Sequence, residues 1–384
     1  MKRTWSVKSR AISVGHHYVA ILSTFLVIVA LIAGTAGCGD GVVDYYDLTI
    51  SSTGGGLVTV PGEGTFVCHD GEIVELIAKA GNDYRFVIWT GKEDMTDTYY
   101  IRDVYSATTE IWIKQNYAIM ANFWPSNITQ VDAADFHIVG LTSNGTVVAA
   151  GIKGYGECNV GNWTDIVQVS AGHWHTVGLT RNGTAVAVGL NERGQCDISG
   201  STGIVQVAAG DYHTVGLRSD GTVVAVGDIS DGRCDVGSWT DITQVAAGEY
   251  HTVGLKEDGT VVAAGAMNIF RNWGQCDVGN WTDIIQVDAG GRHTVGLKHD
   301  GTVVAVGANV SGSLDVTTWT GIVQVSAGWA HTVALRDDGT VIAVGYNMDG
   351  QCDVADWTDI VQIAACGLRT MGLREDGTAV VAGR

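Results

Sequence analysis

The sequence predicts an all-β protein, in which a small N-terminal β-domain precedes a seven-bladed β-propeller. Three observations support this fold class. The chain of 384 residues contains 53 glycines and 2 prolines, and 46% of its residues are hydrophobic whereas 16% are charged, a composition that favours short strands joined by glycine turns. From Asn127 onward one sequence unit recurs in register. Each copy contains short runs of valine, isoleucine and threonine between glycine turns, as strands do.

The repeat is marked by a histidine in the motif A-G-x-x-H-T-V-G-L. Successive copies are about 38 residues apart, with one step of 42 that contains an insertion around residues 268–273. The seven marked positions are His137, His175, His213, His251, His293, His331 and, in the seventh copy, Arg369. Copies at a constant period predict a closed array in which each unit packs against its neighbours.

The second copy illustrates the strands that each repeat predicts. Residues 166–169, 175–179 and 184–188 are typical of strands, and residues 195–198 are interpreted as a short fourth strand. Four strands at a fixed period predict a propeller blade. Every copy also has Asx-Gly between its second and third strands, which predicts a type I′ hairpin with positive φ at both central residues. These Asx residues are Asn144, Asn182, Asp220, Asp258, Asp300, Asp338 and Asp376.

The sequence leaves open how the ring closes. The seventh copy ends at Gly383-Arg384 without the G-Q-C-D-V tail of the other copies, and no spare copy of that tail precedes the first repeat. Three explanations fit: the last blade lacks its final strand, another segment closes the ring, or the sequence is truncated.

Residues 45–124 are predicted to be a separate β-domain, followed by the propeller at 127–384. Short alternating runs, such as L-T-I at residues 48–50 and Y-R-F-V-I-W at 84–89, lie between glycine-rich turns. The order of a G-G-G turn, a P-G turn, Y-R-F…W and A-N-F resembles the divergent internalin-type B-repeat of bacterial surface proteins. That resemblance implies a spacer or stalk.

Residues 1–37 have the layout of an export signal. Basic residues within the first ten precede an uncharged apolar stretch at residues 19–37. The stretch ends in T-A-G-C, which resembles a bacterial lipobox with Cys38 as the lipidation site, although Thr35 stands where leucine is usual. Plain cleavage and an uncleaved anchor are the alternatives, since the apolar stretch can nearly span a bilayer. The prediction is a membrane-anchored lipoprotein of the cell envelope or extracellular space.

The repeat itself resembles that of the regulator-of-chromosome-condensation family. The resemblance rests on A-G-x-x-H-T-V-G-L, D-G-T-V-V-A-V-G and G-Q-C, and it covers about two thirds of the chain. It implies a seven-bladed propeller, in agreement with the seven copies. The short repeats are most similar to the bacterial secreted branch of that family, so the nuclear members' chromatin and nucleotide-exchange roles are not expected here.

Residues that recur in every blade are interpreted as structural. The histidines are predicted to bond to backbone groups rather than to ligate a metal, because equivalent positions lie on a circle and metal ligands must meet at one point. The repeat cysteines alternate with a leucine, which indicates a small buried hydrophobe, and the tryptophans of W-T-D-I are expected to pack between blades. The cysteines are Cys158, Cys196, Cys234, Cys276 and Cys352, with Leu314 in the remaining slot, and the tryptophans are Trp163, Trp239, Trp281, Trp319 and Trp357.

Function is expected where equivalent positions differ. The two residues before each histidine vary, and they are rich in aromatic residues and arginine, the types enriched at binding hot spots. We predict a partner-binding rim of Phe136, Trp174, Tyr212, Tyr250, Arg292 and Trp329 with the acidic neighbours Asp135, Asp211 and Glu249. The alternative is that these aromatics pack locally at the strand entrance. In the secreted branch of the resembling family, aromatics at matching positions contribute to a partner-binding face.

Charge and motifs restrict the function classes. From Asn127 onward there are 28 Asp/Glu and 13 Lys/Arg, a charge of −15 that repels nucleic acid. No nucleophile–base set, phosphate loop or zinc motif stands in any local stretch. We therefore expect a non-enzymatic binding protein without cofactor or metal, whose partner is an envelope or extracellular protein or peptide. The alternatives are a passive structural head and a carbohydrate-binding module.

Overall fold

The computed structural model describes residues 44–91, 100–267 and 270–383. These residues form nine β-sheets: two in an N-terminal domain and seven in the repeat region. The predicted signal at residues 1–37 and the predicted lipidation site Cys38 lie outside the described residues. The all-β class, the N-terminal β-domain and the seven repeated units are confirmed.

Two sheets make up the N-terminal domain. Its strands are β1 (Tyr45–Ser52), β2 (Gly56–Val60), β3 (Gly64–His69), β4 (Ile73–Ala80), β5 (Tyr84–Gly91), β6 (Thr108–Trp112) and β7 (Tyr117–Pro125). One sheet has the order β3-β1-β7-β5 and the other β2-β4-β6, and the β1–β7 pair is parallel. Their facing sides enclose a core that includes Leu48, Leu76, Trp89 and Ile111, each fully buried.

Each repeat forms one antiparallel sheet of three strands around a central channel. The inner strands, whose residues line the channel, are β8 (Ile128–Ala133), β11 (Ile166–Ala171), β14 (Ile204–Ala209), β17 (Ile242–Ala247), β20 (Ile284–Ala289), β23 (Ile322–Ala327) and β26 (Ile360–Cys366). The middle strands are β9 (His137–Thr142), β12 (His175–Thr180), β15 (His213–Arg218), β18 (His251–Lys256), β21 (His293–Lys298), β24 (His331–Arg336) and β27 (Arg369–Arg374). The outer strands are β10 (Val147–Gly151), β13 (Ala185–Gly189), β16 (Val223–Gly227), β19 (Val261–Gly265), β22 (Val303–Gly307), β25 (Val341–Gly345) and β28 (Ala379–Gly383).

The predicted fourth strand is wrong. Residues 195–198 form turns, because side-chain bonds coil this segment on itself: Asn191 Oδ1 accepts the Cys196 N–H at 2.8 Å, and Asn191 Nδ2 donates to Asp197 Oδ1 at 2.9 Å. The apolar residue that follows, Ile198, is still fully buried against neighbouring strands. The segment therefore fills the space between blades without extending a sheet.

The predicted hairpin type is also wrong. In the turn of the third blade, Asp220 lies outside the positive-φ region and Gly221 has φ +78°, while the Gly221 N–H donates to the Arg218 carbonyl at 3.0 Å. Asp220 Oδ1 instead accepts the Thr222 N–H at 3.0 Å. A single left-handed glycine after a tight turn is the three-residue hairpin with a glycine bulge, not the two-residue type I′ turn.

A glutamine at the third position of every inner strand joins adjacent blades. Gln206, for example, donates from Nε2 to the Val245 carbonyl at 3.0 Å and accepts the Val245 N–H at 2.9 Å. The same pair of bonds recurs at all seven blade boundaries, formed by Gln130, Gln168, Gln206, Gln244, Gln286, Gln324 and Gln362. Because Gln362 bonds Val131 of the first blade, the ring is closed.

The last strand of the N-terminal domain covers the seam between the seventh and first blades. The Trp124 ring lies on Gly140 as the Trp163 ring lies on Gly178 in the second blade. Trp124 belongs to a core cluster that also contains Val87 and Ile88 of the N-terminal domain and Met371 of the seventh blade. Of the three explanations left open by the sequence, the structure therefore supports a separate segment that completes the ring.

Candidate functional site

The seven variable pairs lie at one end of the inner strands, where the chain turns into the middle strands. In six of the seven pairs the first residue lines the mouth of the central channel, and Asp135, Asp211, Glu249 and Trp329 are the ones with large side chains. The second residue lies farther out, beside the loop that follows an outer strand, as shown by the ring contact of Trp174 with Tyr155 at 5.1 Å. We call this surface the rim.

Buried histidines support the rim from below. Each is fully buried and its Nε2 lies 2.7–2.9 Å from a threonine hydroxyl of the next blade, as in His175–Thr214. Thr214 Oγ1 itself donates to the Gln195 carbonyl at 2.7 Å, so the histidine Nε2 donates to the hydroxyl. The predicted backbone partner is thus replaced by a side chain. In the seventh blade Arg369 Nη1 donates to the Ala134 carbonyl at 3.0 Å.

Burial keeps these imidazoles neutral. Removal from water lowers the pKa of His137, His175, His251 and His331 to about 3 and that of His293 to about 4. Each neutral ring is fully buried, and its Nε2 bonds a threonine of the next blade. The histidines are therefore structural.

Aromatic rings of the first three blades form one continuous cluster on the rim. Phe136 stacks on Trp174 with ring centroids 4.0 Å apart, and His173 contacts Phe136 edge-on at 5.0 Å. His173 Nδ1 also lies 2.9 Å from Asp135 Oδ2 and 3.8 Å from Asp211 Oδ2. Burial alone acts to lower the pKa of His173, but the bond to Asp135 and the charge of Asp211 raise it.

A second cluster spans blades four to six and alternates aromatic rings with arginine. The Arg292 guanidinium lies 4.6 Å from the Trp273 ring centroid and 4.8 Å from that of Trp329. Trp329 reaches over the fifth blade and donates from Nε1 to Glu249 Oε2 at 3.2 Å. Gly291 permits this crossing, because a Cβ there would lie 2.6 Å from Trp329 Cδ1.

Sequence reasoning missed a buried ion cluster under the rim. Arg233 occupies the position of glutamine in G-Q-C, is fully buried, and pairs with Asp231. Arg271 Nη1 binds the same carboxylate at 2.8 Å, and Arg233 Nη1 donates to the Glu249 carbonyl at 2.5 Å. The change from glutamine to arginine in the third copy was the available signal, although the first and fifth copies also depart from glutamine, with Glu157 and Ser313.

The two clusters border a cavity of about 470 Å³. Trp174, Tyr212 and Tyr250 give it aromatic walls, and Arg193 and Glu249 give it charged groups. Burial, together with the charges of Glu249 and Asp135, raises the pKa of the neighbouring Asp211 to about 7, against the lowering effect of His173. The site combines flat apolar surfaces with a few charged groups of both signs.

The structure thus brings all nine predicted rim residues to one end of the propeller, in two aromatic clusters with the acidic residues at the channel mouth. Every predicted aromatic is half-buried, so each has both a packing contact and an exposed surface. The tryptophans of W-T-D-I lie, as expected, in the cores between blades. Among the described residues, no group of three or more metal-binding side chains could hold an ion.

The repeat cysteines are half-buried rather than fully buried, and all are free thiols. Each Sγ lies near a carbonyl oxygen of the preceding loop, as in Cys196–Leu190 at 3.4 Å. Burial raises the pKa of Cys158 to about 12 and that of Cys196, Cys234, Cys276 and Cys352 to about 11.

We expect these thiols to react slowly in the folded protein. At pH 8 a thiol with a pKa of about 11 is ionised to roughly one part in a thousand, and the thiolate is the reactive form. Labelling with a chromogenic disulfide reagent, located by mass spectrometry, should be at least about a hundredfold slower than after unfolding in guanidinium. Rapid native labelling at Cys196 would contradict this assignment.

No helix in the described part of the chain is long and apolar enough to cross a membrane. The predicted export signal and Cys38 lie outside that part, so their roles stay predictions.

Comparison with known proteins identifies both parts of the chain. The Regulator of chromosome condensation (RCC1) repeat matches residues 166–195, 204–233, 242–268, 284–313 and 322–351, and the Divergent InlB B-repeat domain matches residues 46–127. The matched repeats fall in blades two to six, and the first and seventh blades have the same three-stranded form. No curated protein matches the chain significantly.

Solved structures show the same fold at low sequence identity. The ectodomain of the receptor kinase CR4 from Physcomitrella patens has a TM-score of 0.55 at 17% identity and covers 67% of this chain and 74% of its own. Human WBSCR16 has a TM-score of 0.54 at 16% identity, covering 78% and 98%. Prp20p from Saccharomyces cerevisiae has a TM-score of 0.50 at 17% identity, covering 67% and 82%. The chain therefore carries a propeller of regulator of chromosome condensation repeats behind a divergent InlB B-repeat domain.

Proposed function

We propose that the chain is an exported, membrane-anchored, non-enzymatic binding protein whose rim engages a protein or peptide partner. The InlB-type domain suggests a bacterial surface protein, and the lipobox-like sequence ending at Cys38 would tie it to the envelope.

One observation carries the binding proposal: the side-chain bonds that join the blades below the rim are uniform, whereas the residues on the rim vary. Seven equivalent glutamines and six equivalent histidines make the same bonds in successive blades. The pairs directly above differ from blade to blade, yet six of their members are half-buried aromatics or arginine that share ring contacts. Residues of these types, rigid and partly exposed, supply most of the binding energy at protein interfaces.

The rim variant with Trp174, Tyr212, Tyr250 and Trp329 all changed to Ala is expected to lose its partner. Each truncation removes aromatic contact area, and hot-spot losses of about 2 kcal/mol or more are usual. The measurement is capture of partners from envelope and extracellular extracts on immobilised full-length protein, with folding verified by circular dichroism.

The opposite mouth of the channel offers a matched control. Val205, Val323 and Val361 are about half exposed there, and Thr129 and Thr243 stand at the equivalent positions of other blades. Changing the three valines to threonine should leave capture intact. Equal capture by the rim variant, or no capture by either protein, would favour a passive structural head instead.

Carbohydrate binding is the second candidate, because the cavity beside Trp174, Tyr212 and Tyr250 has aromatic walls on which a sugar could stack. Binding to a glycan array by the full-length protein, lost in the rim variant, would favour this function over protein recognition.

A further inference from the structure

Among the described residues, the rim charge that has neither an ion-pair nor a hydrogen-bond partner is positive, although the chain carries a net charge of −19. The three rim carboxylates all have partners: Asp135 lies 2.9 Å and Asp211 3.8 Å from His173 Nδ1, and Glu249 accepts the Trp329 N–H at 3.2 Å. Beneath the rim, Arg233 and Arg271 share Asp231.

Arg292 differs from these arginines. Its guanidinium is sandwiched between the Trp273 and Trp329 rings, and its Nε has no hydrogen-bond partner. Within the described residues it forms no ion pair. Positions equivalent to Arg292 in the next two blades hold Ala330 and Leu368. The fold of a blade therefore does not require a cation at this position.

The sandwich prepares Arg292 for a planar anion. Two indole rings fix the plane of the guanidinium and shield its faces, and cation–π contacts of this kind stabilise the charge without neutralising it. The Nε atom is buried, so the two Nη atoms, which make no hydrogen bond among the described residues, are left for a partner. A carboxylate matches these two atoms, because it accepts two parallel N–H bonds from a guanidinium.

We propose that the partner bound by the rim presents an aspartate or glutamate side chain, which pairs with Arg292 between the two tryptophans. This inference rests on the proposed binding function and states the chemistry that the partner must have. An unmatched guanidinium on this rim also gives specificity, because an acidic group placed beside Asp135, Asp211 or Glu249 instead is repelled.

The test is a synthetic array of twelve-residue peptides in which every glutamate-containing peptide has a glutamine counterpart. The array is probed with detergent-solubilised full-length protein. Each glutamate peptide that binds is expected to bind about tenfold more tightly than its glutamine counterpart. Arg292→Gln should abolish that difference, and Arg292→Lys should keep part of it because the charge stays but the planar fork is lost.

Arg336→Gln is the charge-matched control. Arg336 ends the middle strand β24, at the face opposite the rim, and its loss should leave the preference for glutamate unchanged. A preference that survives in Arg292→Gln, a preference for lysine-rich peptides, or retention of no peptide would overturn the inference.

These outcomes are separable from failure of the binding function. If the rim variant loses all peptides while Arg292→Gln keeps the glutamate preference, only the inference fails. If wild-type protein and the rim variant retain the same peptides equally, the rim is not the binding surface and the proposed function fails as well.

Discussion

Lowering the pH from 7.5 to 4.5 is expected to unfold the propeller. Six fully buried histidines have pKa values far below their ordinary value near 6.5, mainly because burial disfavours the charged ring. The stability they contribute is complete above pH 6.5 and is lost as the pH falls below it, because only the unfolded chain then binds these protons.

Four buried carboxyl groups oppose the effect, and one of them is Glu157, whose pKa is raised by burial. Burial raises the pKa of Asp132 and Asp288 to about 6 and that of Asp211 to about 7, so the folded state binds their protons first. Near pH 5 the unfolded chain still binds about two to three more protons than the folded chain, which corresponds to a loss of roughly 3–4 kcal/mol per pH unit. Urea unfolding followed by circular dichroism between pH 7.5 and 4.5 measures this slope.

Single histidine variants make the assignment specific. His293→Gln should weaken the protein at pH 7.5 but reduce the pH dependence by about one proton, because one titrating group is gone. His299→Gln, at an exposed histidine of the same blade, should leave the stability at pH 7.5 unchanged. Unfolding free energies that are equal at pH 7.5 and pH 5 would show that the buried rings do not control acid stability.

Trp124→Ala is expected to open the ring at its seam. The variant removes a buried indole from the cluster that joins Val87 and Ile88 to Met371 and Leu373. Truncation of a buried tryptophan costs about 3–5 kcal/mol. Because Trp124 packs with residues of the N-terminal domain and of the seventh blade at this boundary, we expect the seventh blade to become the first site of proteolysis, identified by mass spectrometry of the fragments.

A tryptophan of the same domain serves as the comparison. Trp112 is 48% exposed and lies in the β2-β4-β6 sheet, which does not contain the strand β7 that leads into the propeller, so Trp112→Ala should cost less than about 1 kcal/mol. If Trp124→Ala is no more destabilising than Trp112→Ala, the N-terminal domain does not hold the ring closed.

The sequence repeat was enough to predict most of the fold. Seven marked positions and seven Asx-Gly pairs predicted the blades and the hairpins, since period and turn residues are local properties of the chain. The fourth strand was mispredicted because the Cys196 N–H donates to the Asn191 side chain and the Asp197 N–H to the Gly194 carbonyl, a competition that local patterning does not reveal. The hairpin type was mispredicted because Asx-Gly also suits a turn in which only the glycine is left-handed.

The sequence predicted where the candidate site lies, but not the contacts between its residues. Variation before each histidine located the rim, but the pairing of Trp329 with Glu249 joins residues 80 apart and two blades away. The sandwich around Arg292 likewise depends on Trp273, which lies in the inserted loop of another copy. The glutamine ring escaped notice although a polar residue recurs in every inner strand, because its partners lie in the adjacent blade.

That glutamine ring gives every blade boundary the same head-to-tail polarity. Each blade offers a glutamine to its successor and receives one from its predecessor, so the contact is heterologous and has no built-in end point. Seven blades satisfy it only because the last returns to the first, through Gln362 and Val131. An array with a missing or opened blade would expose one donor face and one acceptor face, which are complementary, and would join end to end with another chain.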